Sequence, residues 1–564
     1  MSRAAELSGS MASRLRRQAE AWLAAFVFAS GLYRALLFGS TPAEPASSVE
    51  GRTGDPALGE AILAGEWKIA GERLAEENPF RAESEALANA SDPLAAALHG
   101  FAWLADLVAL DSESGRERAR TLVESWLARF GEWSALAWRA DVLGRRLDAW
   151  LAAYPFLAKG AEENFLPRLR RSVARQRRHL GRLALLGGDR LGPDGHGRLE
   201  ALIGLLEATS AFSGNAERLK RPLAHFLAEL ERQVLPDGGH YQRSPAVHHA
   251  ILEALVRLRA TLSDARLAVP PALQAAIDRM APMLRFFRHG DGRLALFNHT
   301  SEENAAALDA LLKRADAPGR PPLSAPHSGF QRVECGLSLM LVDCGPPPPP
   351  ESEAYAHAGT LSFELSLGKE RLVVNCGARP FAKGEWLTAQ RATAAHSTLV
   401  LADTNSCDFL PSGRIGRRPR HVLARREESE GAVLIDASHD GYEPPFGVLH
   451  RRRLYLAAEG DDLRGEDRLA RVRTPEAPLA FAIRFHLHPE VQASLVHDGK
   501  AALLRTASRA GFRLDVAGGR LSIAESIYLG GAEGARRAEQ VVIESTLAGV
   551  EAVVKWSLKR VRGS

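Results

Sequence analysis

At 564 residues, with 46% hydrophobic and 25% charged side chains, the chain exceeds one ordinary domain and can bury a large core, so about two to four domains are expected. A net charge of +4 is small for this length and none of the usual nucleic-acid modules is present, which argues against nucleic acid as a partner. Four cysteines (Cys335, Cys344, Cys376, Cys407) form no CxxC pair, which argues against a zinc ribbon or dithiol site and leaves buried thiols or one bridge, and no apolar run is long enough to cross a bilayer.

Residues 1–55 read as an N-terminal helical extension. Arg14, Arg16 and Arg17 precede an apolar stretch from Ala21 to Ala29, which is the order of an export signal. Glu20 interrupts the approach, and Arg34 with the patch Ala35 to Phe38 follows at helical spacing, which suits an amphipathic helix. Both readings stand.

Residues 56–315 read as helix after helix. Apolar residues recur at three and four spacing, rich in alanine and leucine, with breaks at Gly131, Gly187-Gly188, Gly192-Pro193-Asp194-Gly195 and Pro236-Asp237-Gly238-Gly239. Paired helices in a toroid or solenoid follow from this pattern. Arg168, Arg171, Arg175, Arg178 and Arg182 share one helix face, either a solvated face or a grip for a polyanion. The stretch from Leu235 to His249 is a Gly-rich turn leading into a helix that starts at Ser244-Pro245, a cap-and-first-turn pair. It puts His240, Tyr241 and Arg243 on the loop, with His248 and His249 facing outward, as a cleft rim or as a locally bonded turn. Further on, His289-Gly-Asp-Gly reads as a tight turn and Asn298 as the end of a short strand.

Residues 316–564 change character. The five-proline run Pro346 to Pro350 reads as a stiff exposed loop. Beyond it Leu361, Phe363, Leu365 and Leu367 alternate with Ser362, Glu364 and Ser366, the period of a half-buried strand. Similar alternation near Leu454, near Arg484 and from Val541 to Leu558 points to a β-sandwich. His357, Asn375 and His396 stand at strand ends and read either as a metal site or as a hydrogen-bonding cluster, an amide being a poor zinc ligand. His450-Arg-Arg-Arg reads as a basic rim or a solvated strand edge. No nucleophile elbow, phosphate loop or dinucleotide fingerprint occurs.

Three separated motifs carry a resemblance: Asp237-Gly-Gly-His with Arg243-Ser-Pro, His357-Ala-Gly-Thr-Leu-Ser-Phe-Glu, and Arg391-Ala-Thr-Ala-Ala-His-Ser-Thr. In this order they resemble the heparinase II/III family of polysaccharide lyases. The resemblance implies an N-terminal (α/α) toroid followed by an antiparallel β-sandwich, a substrate cleft between them, and β-elimination of uronic-acid polysaccharides. It also implies a periplasmic or cell-envelope location, against which stands a cytoplasmic one for want of a clear signal peptide. Carried over by position, His196 stands for the family's Asn or His after the first Gly-rich turn. Val247 occupies the place of the acid-base tyrosine, with Tyr241 close by, and Tyr355 occupies that of a catalytic histidine. His357 and His396 match two zinc ligands, and Asn375 replaces the third, an aspartate. The implied set is therefore His196, His240, Tyr241 and Tyr355 for proton transfer, Arg243, His248 and Arg391 for an acidic polysaccharide, and His357, Asn375 and His396 for zinc. Two functions follow: a diverged lyase, or a non-catalytic protein that binds polyanionic glycans. A glycoside hydrolase would need opposed carboxylates, for which Glu364 and Asp237 are the candidates.

Overall fold

The computed structural model describes residues 25–40, 43–45, 47, 49–186, 195–213, 216–379, 382–410, 413–473, 477–531 and 534–561. The arginines at 14, 16 and 17, the start of the first apolar stretch, and the breaks at Gly187-Gly188 and Gly192-Pro193-Asp194 lie outside these residues. Helices dominate from Pro56 to Ala315, and strands run from Ser324 to Val561. Two compact units emerge: residues up to Glu229 with Arg257–Pro270, and Leu230–Val256 with Pro271–Ser564.

In the first unit, α1 (Gly31–Leu37), α2 (Ala140–Ala152), α3 (Phe165–Leu186) and α4 (Gly195–Ser213) show how the sequence packs. Every residue from 197 to 211 in α4 is buried, Arg198, Glu200 and Glu207 among them. Gly144 of α2 and Gly204 of α4 let the two backbones touch: a Cβ on Gly204 would fall inside the Gly144 carbonyl oxygen, and one on Gly144 would strike the Glu200 carbonyl. The arginine stripe of α3 holds α1. Arg178 donates to the carbonyls of Leu37 (2.7 Å) and Ser40 (3.0 Å), and Arg182 to that of Leu36 (2.9 Å). Those of Leu36 and Leu37 are orphan carbonyls of a helix C-terminus, where cations are favoured. So part of the stripe is a structural clamp. A hairpin of Glu66–Ile69 with Glu72–Ala75 interrupts the helices. Its turn, Ala70-Gly71, has positive φ at both residues but lacks the Asn-Gly or Asp-Gly signal that would mark it in sequence.

In the second unit α5 (Pro245–Asp264) begins as expected, with the Ser244 hydroxyl accepting from the Val247 N–H at 3.4 Å. The strands that matter most for the site are β1 (Phe363–Leu367), β2 (Glu370–Val374), β3 (Leu399–Leu401), β4 (Val448–Leu456), β5 (Asp462–Arg471), β6 (Leu479–Leu487) and β7 (Glu551–Val561). They belong to two antiparallel sheets. One has nine strands, including β1, β2, β3 and β6; the other has eight, with β4, β5 and β7 adjacent near its middle. An apolar core joins both, including Phe363, Leu365, Phe485, Leu454 and Trp556. Arg452 of β4 is 1% exposed, ion-paired with Asp467 of β5 at 2.7 Å, and donates to the carbonyls of Leu361 and Ser397, each at 2.9 Å.

Several expectations are corrected. The segment around β1 is buried on both faces, because Ser366 and Glu364 meet buried histidine and amide groups rather than water. His450 and Arg452 are buried and only Arg451 and Arg453 are exposed, so the basic run is half core. Pro347 and Pro348 of the proline run are buried, with the Pro348 carbonyl accepting from Arg418 at 2.9 Å. Asn298 ends no strand; that segment makes a single bridge, Arg288 to Leu294. The four cysteines are free and buried, as the buried-thiol reading expected.

We expect Gly204→Ala to lower the stability of the chain by about 1–3 kcal/mol, since overpacking forces α2 and α4 apart. Urea unfolding followed by far-ultraviolet circular dichroism reads this; an unchanged midpoint would contradict a backbone contact at this pair.

Candidate functional site

The Gly-rich turn is built as a clamp within the second unit. Gly238 has φ +83° and no room for a side chain beside the Arg279 carbonyl. Asp237 accepts from the backbone N–H of Gly239 and His327 (both 2.9 Å) and of Ser328 (2.7 Å). Arg243, itself at φ +57°, donates to the Ser328 carbonyl at 2.7 Å and the Pro346 carbonyl at 2.6 Å, and pairs with buried Asp343. Its carbonyl accepts from the Asn298 amide at 3.0 Å, and the Asn298 amide oxygen accepts from the His357 N–H at 3.1 Å. The turn is thereby tied to the first of the expected zinc histidines.

His357 stands in a cluster of rings. Its ring centroid lies 5.8 Å from that of His299 and 5.2 Å from that of His396, while His299 lies 5.6 Å from Tyr355. The hydrogen bonds fix the tautomers. His396 Nδ1 is 2.8 Å from the Ala392 carbonyl, so it carries the proton and donates. His396 Nε2 is then a lone pair and accepts from His357 Nδ1–H at 3.2 Å. His357 Nε2 is left as a buried lone pair that no donor among the described residues reaches. Both rings are held neutral. Burial lowers the His396 pKa to about 4, and burial together with the His396, His299 and Arg391 charges takes His357 well below the ordinary range.

Asn375 follows β2 and is fully engaged. Its side-chain N–H donates to Glu364 Oε1 at 3.1 Å, its backbone N–H to the same oxygen at 3.0 Å, and its amide oxygen accepts from the Ser397 N–H at 3.0 Å. These residues do not make up a zinc set: the His357 Nδ1 and His396 Nε2 atoms are bonded to each other, and where a third ligand is needed stands the Asn375 amide, whose oxygen faces Ser397. Among the described residues, no three His, Cys, Asp or Glu side chains gather as a metal-holding group.

The other expected residues are placed as follows. His196 belongs to the first unit, with Nε2 at 3.6 Å from Glu200. His240 is 1% exposed and donates from Nε2 to Gln233 at 2.9 Å; the Tyr241 ring lies 5.1 Å from its own. His248 does not face outward: it is buried and donates from Nε2 to the Met280 carbonyl at 2.9 Å, because the first turn of α5 packs into the core. Arg391 is 3% exposed and donates to the carbonyls of Ala356 (2.8 Å), Glu353 (3.0 Å) and Gly413 (2.9 Å). Val247, in the place of the family tyrosine, is buried. Glu364 and Asp237 are both consumed by hydrogen bonds from this chain. Sequence reasoning missed His299 and Gln390, whose Nε2 donates to His299 Nδ1 at 3.2 Å. Consecutive positive φ values at Asn298 and His299 bring that ring to the site, and nothing in the sequence marks them.

With this geometry in hand, residues 317–557 match the family described as Heparinase II/III-like, C-terminal. FtsZ-localized protein C of Caulobacter vibrioides (strain NA1000 / CB15N) is 34% identical over 527 residues, covering 90% of this chain and 89% of that protein. Among solved structures, heparinase III matches with a TM-score of 0.71 at 14% identity, over 94% of this chain and 89% of that one. Heparan sulfate lyase HepC from Pedobacter heparinus matches with a TM-score of 0.62 at 14% identity, over 92% and 86%. The chain belongs to the heparinase II/III family. Its fold is the expected (α/α) toroid of paired helices followed by an antiparallel β-sandwich, a polysaccharide-lyase scaffold.

Burial sets a pH dependence. It lowers His248 and His396 to about 4, and His99 and His486 to about 3. In the unfolded chain each takes up a proton near pH 6.5, whereas the folded chain does so only two or more units lower. Stability is thus complete above pH 6.5 and falls as pH drops from 6.5 towards 4, at about 1.4 kcal/mol per unit for each histidine. We expect urea midpoints to be level from pH 7 to 8 and to drop steeply below 6.5; a level profile down to pH 5 would contradict neutral buried imidazoles.

Proposed function

We propose that this chain is a non-catalytic binding protein on a polysaccharide-lyase scaffold, and that it works where FtsZ assembles rather than cleaving acidic polysaccharide by β-elimination. One observation carries the reading: the side chains in the zinc-type positions bind one another and this chain's own backbone. His396 holds the Ala392 carbonyl and His357, and Asn375 holds Glu364 and Ser397. A lyase must stabilise charge on the substrate carboxylate with groups aimed at it. The arginines nominated for that task, Arg243 and Arg391, instead donate to backbone carbonyls. Val247 and Tyr355 stand where the family has proton-transfer groups, so the chemistry has diverged at those positions too. The link to FtsZ comes from the name of the relative that shares 34% of its residues with this chain. Four buried free thiols suit a reducing compartment and favour the cytoplasm over the periplasm.

The test has two arms. Incubation with heparin, heparan sulfate, hyaluronan and alginate is followed by ultraviolet absorbance of unsaturated uronate, and no rise is expected. Steady release of such ends, lost in Tyr355→Phe, would restore the lyase reading. In cells, a fluorescent fusion is expected to gather with FtsZ and to disperse when FtsZ is depleted; a distribution indifferent to FtsZ would overturn the cellular half.

A further inference from the structure

The first unit contains a pocket of about 50 Å³. Its walls include Ala102, Ala105 and Ala149, and its polar residues are Arg52, Arg145 and Asp148. Asp148 and Arg145 come from α2, whose backbone contact with α4 brings Glu200 and Glu207 into the same cluster. Arg145 is saturated, at 2.7 Å from Glu200 and 3.1 Å from Asp141. Arg257 is fully committed to burial, with a 2% exposed side chain 2.5 Å from Asp148. Arg52 is different. Its side chain is 31% exposed and its two carboxylate neighbours, Asp148 and Glu200, are each 3.9 Å away. It is a cation at the pocket held only loosely.

A buried acid lies close by. Glu207 is 0% exposed, and burial, with the charge of Asp148 next, pushes its pKa well above the usual carboxylate range. The guanidinium groups of Arg139, Arg145 and Arg257 each come within 2.7 Å of a carboxylate of Asp141, Glu200 or Asp148. Arg52, 3.9 Å from Asp148 and Glu200, borders the slot without so close a partner.

We propose that this pocket binds a small organic monoanion with a short aliphatic body, its carboxylate taken by Arg52 and its chain lying along the alanines. Arg52 is open to a ligand, because at 3.9 Å it makes no hydrogen bond to either carboxylate. A bidentate guanidinium–carboxylate contact is stronger. A cation would instead meet the Arg52 guanidinium.

The experiment is calorimetric titration of the full chain with sodium propionate, propylammonium chloride and sodium chloride at matched ionic strength. Propionate is expected to bind saturably and the other two not. Arg52→Gln, at a partly exposed position, is expected to fold normally and to weaken propionate by about tenfold or more. Ala149→Leu keeps Arg52 and fills the slot, and is expected to abolish binding. Equal binding of propylammonium, no saturable binding of propionate, or unchanged affinity in either variant would each overturn the proposal.

Discussion

Glu364 sits in β1 with no exposed surface, and four N–H groups converge on its carboxylate: His289 Nε2 at 2.9 Å, the Leu296 backbone at 3.1 Å, and the Asn375 backbone and side chain at 3.0 and 3.1 Å. A buried carboxylate is tolerated only when its lone pairs are met in this way. The requirement organises its neighbourhood. It turns Asn375 so that the amide oxygen receives Ser397, which places His396 beside His357. It also ties down the segment from His289 to Leu296, and the Asn298 bridge next to it joins the Arg243 carbonyl to the His357 N–H. The candidate site is thus a consequence of core hydrogen bonding.

The same network explains why family membership and family chemistry part here. A metal-binding set needs several side chains aimed at one point and otherwise unoccupied. In this chain the amide at position 375 can donate as well as accept, which an aspartate cannot, and its donor is claimed by Glu364. The imidazole pair closes on itself and on the Ala392 carbonyl. The scaffold survives such changes because the apolar core between the sheets lies outside the site.

Much of the architecture was legible. Period-two and period-three-to-four patterns separated strands from helices, the Ser244-Pro245 cap marked the start of α5, and the three ordered motifs named the family. What was not legible depends on tertiary surroundings. Alternation in β1 suggested a wet face, but Glu364 and Ser366 point into a second layer of buried polar groups. His248 is on the first turn of a helix whose outer side meets Met280, which no local pattern reveals. His299 reaches the site only through left-handed backbone at two consecutive non-glycine residues, a conformation sequence does not announce. The alanine-walled pocket beside Arg52 is likewise assembled from segments distant in sequence.

The central claim is that the imidazoles and amide at the zinc-type position have spent their donors and acceptors on one another. Anomalous diffraction at the zinc edge, from crystals grown with excess zinc, addresses it directly. The account predicts no peak there. A peak within bonding distance of both imidazoles would contradict it.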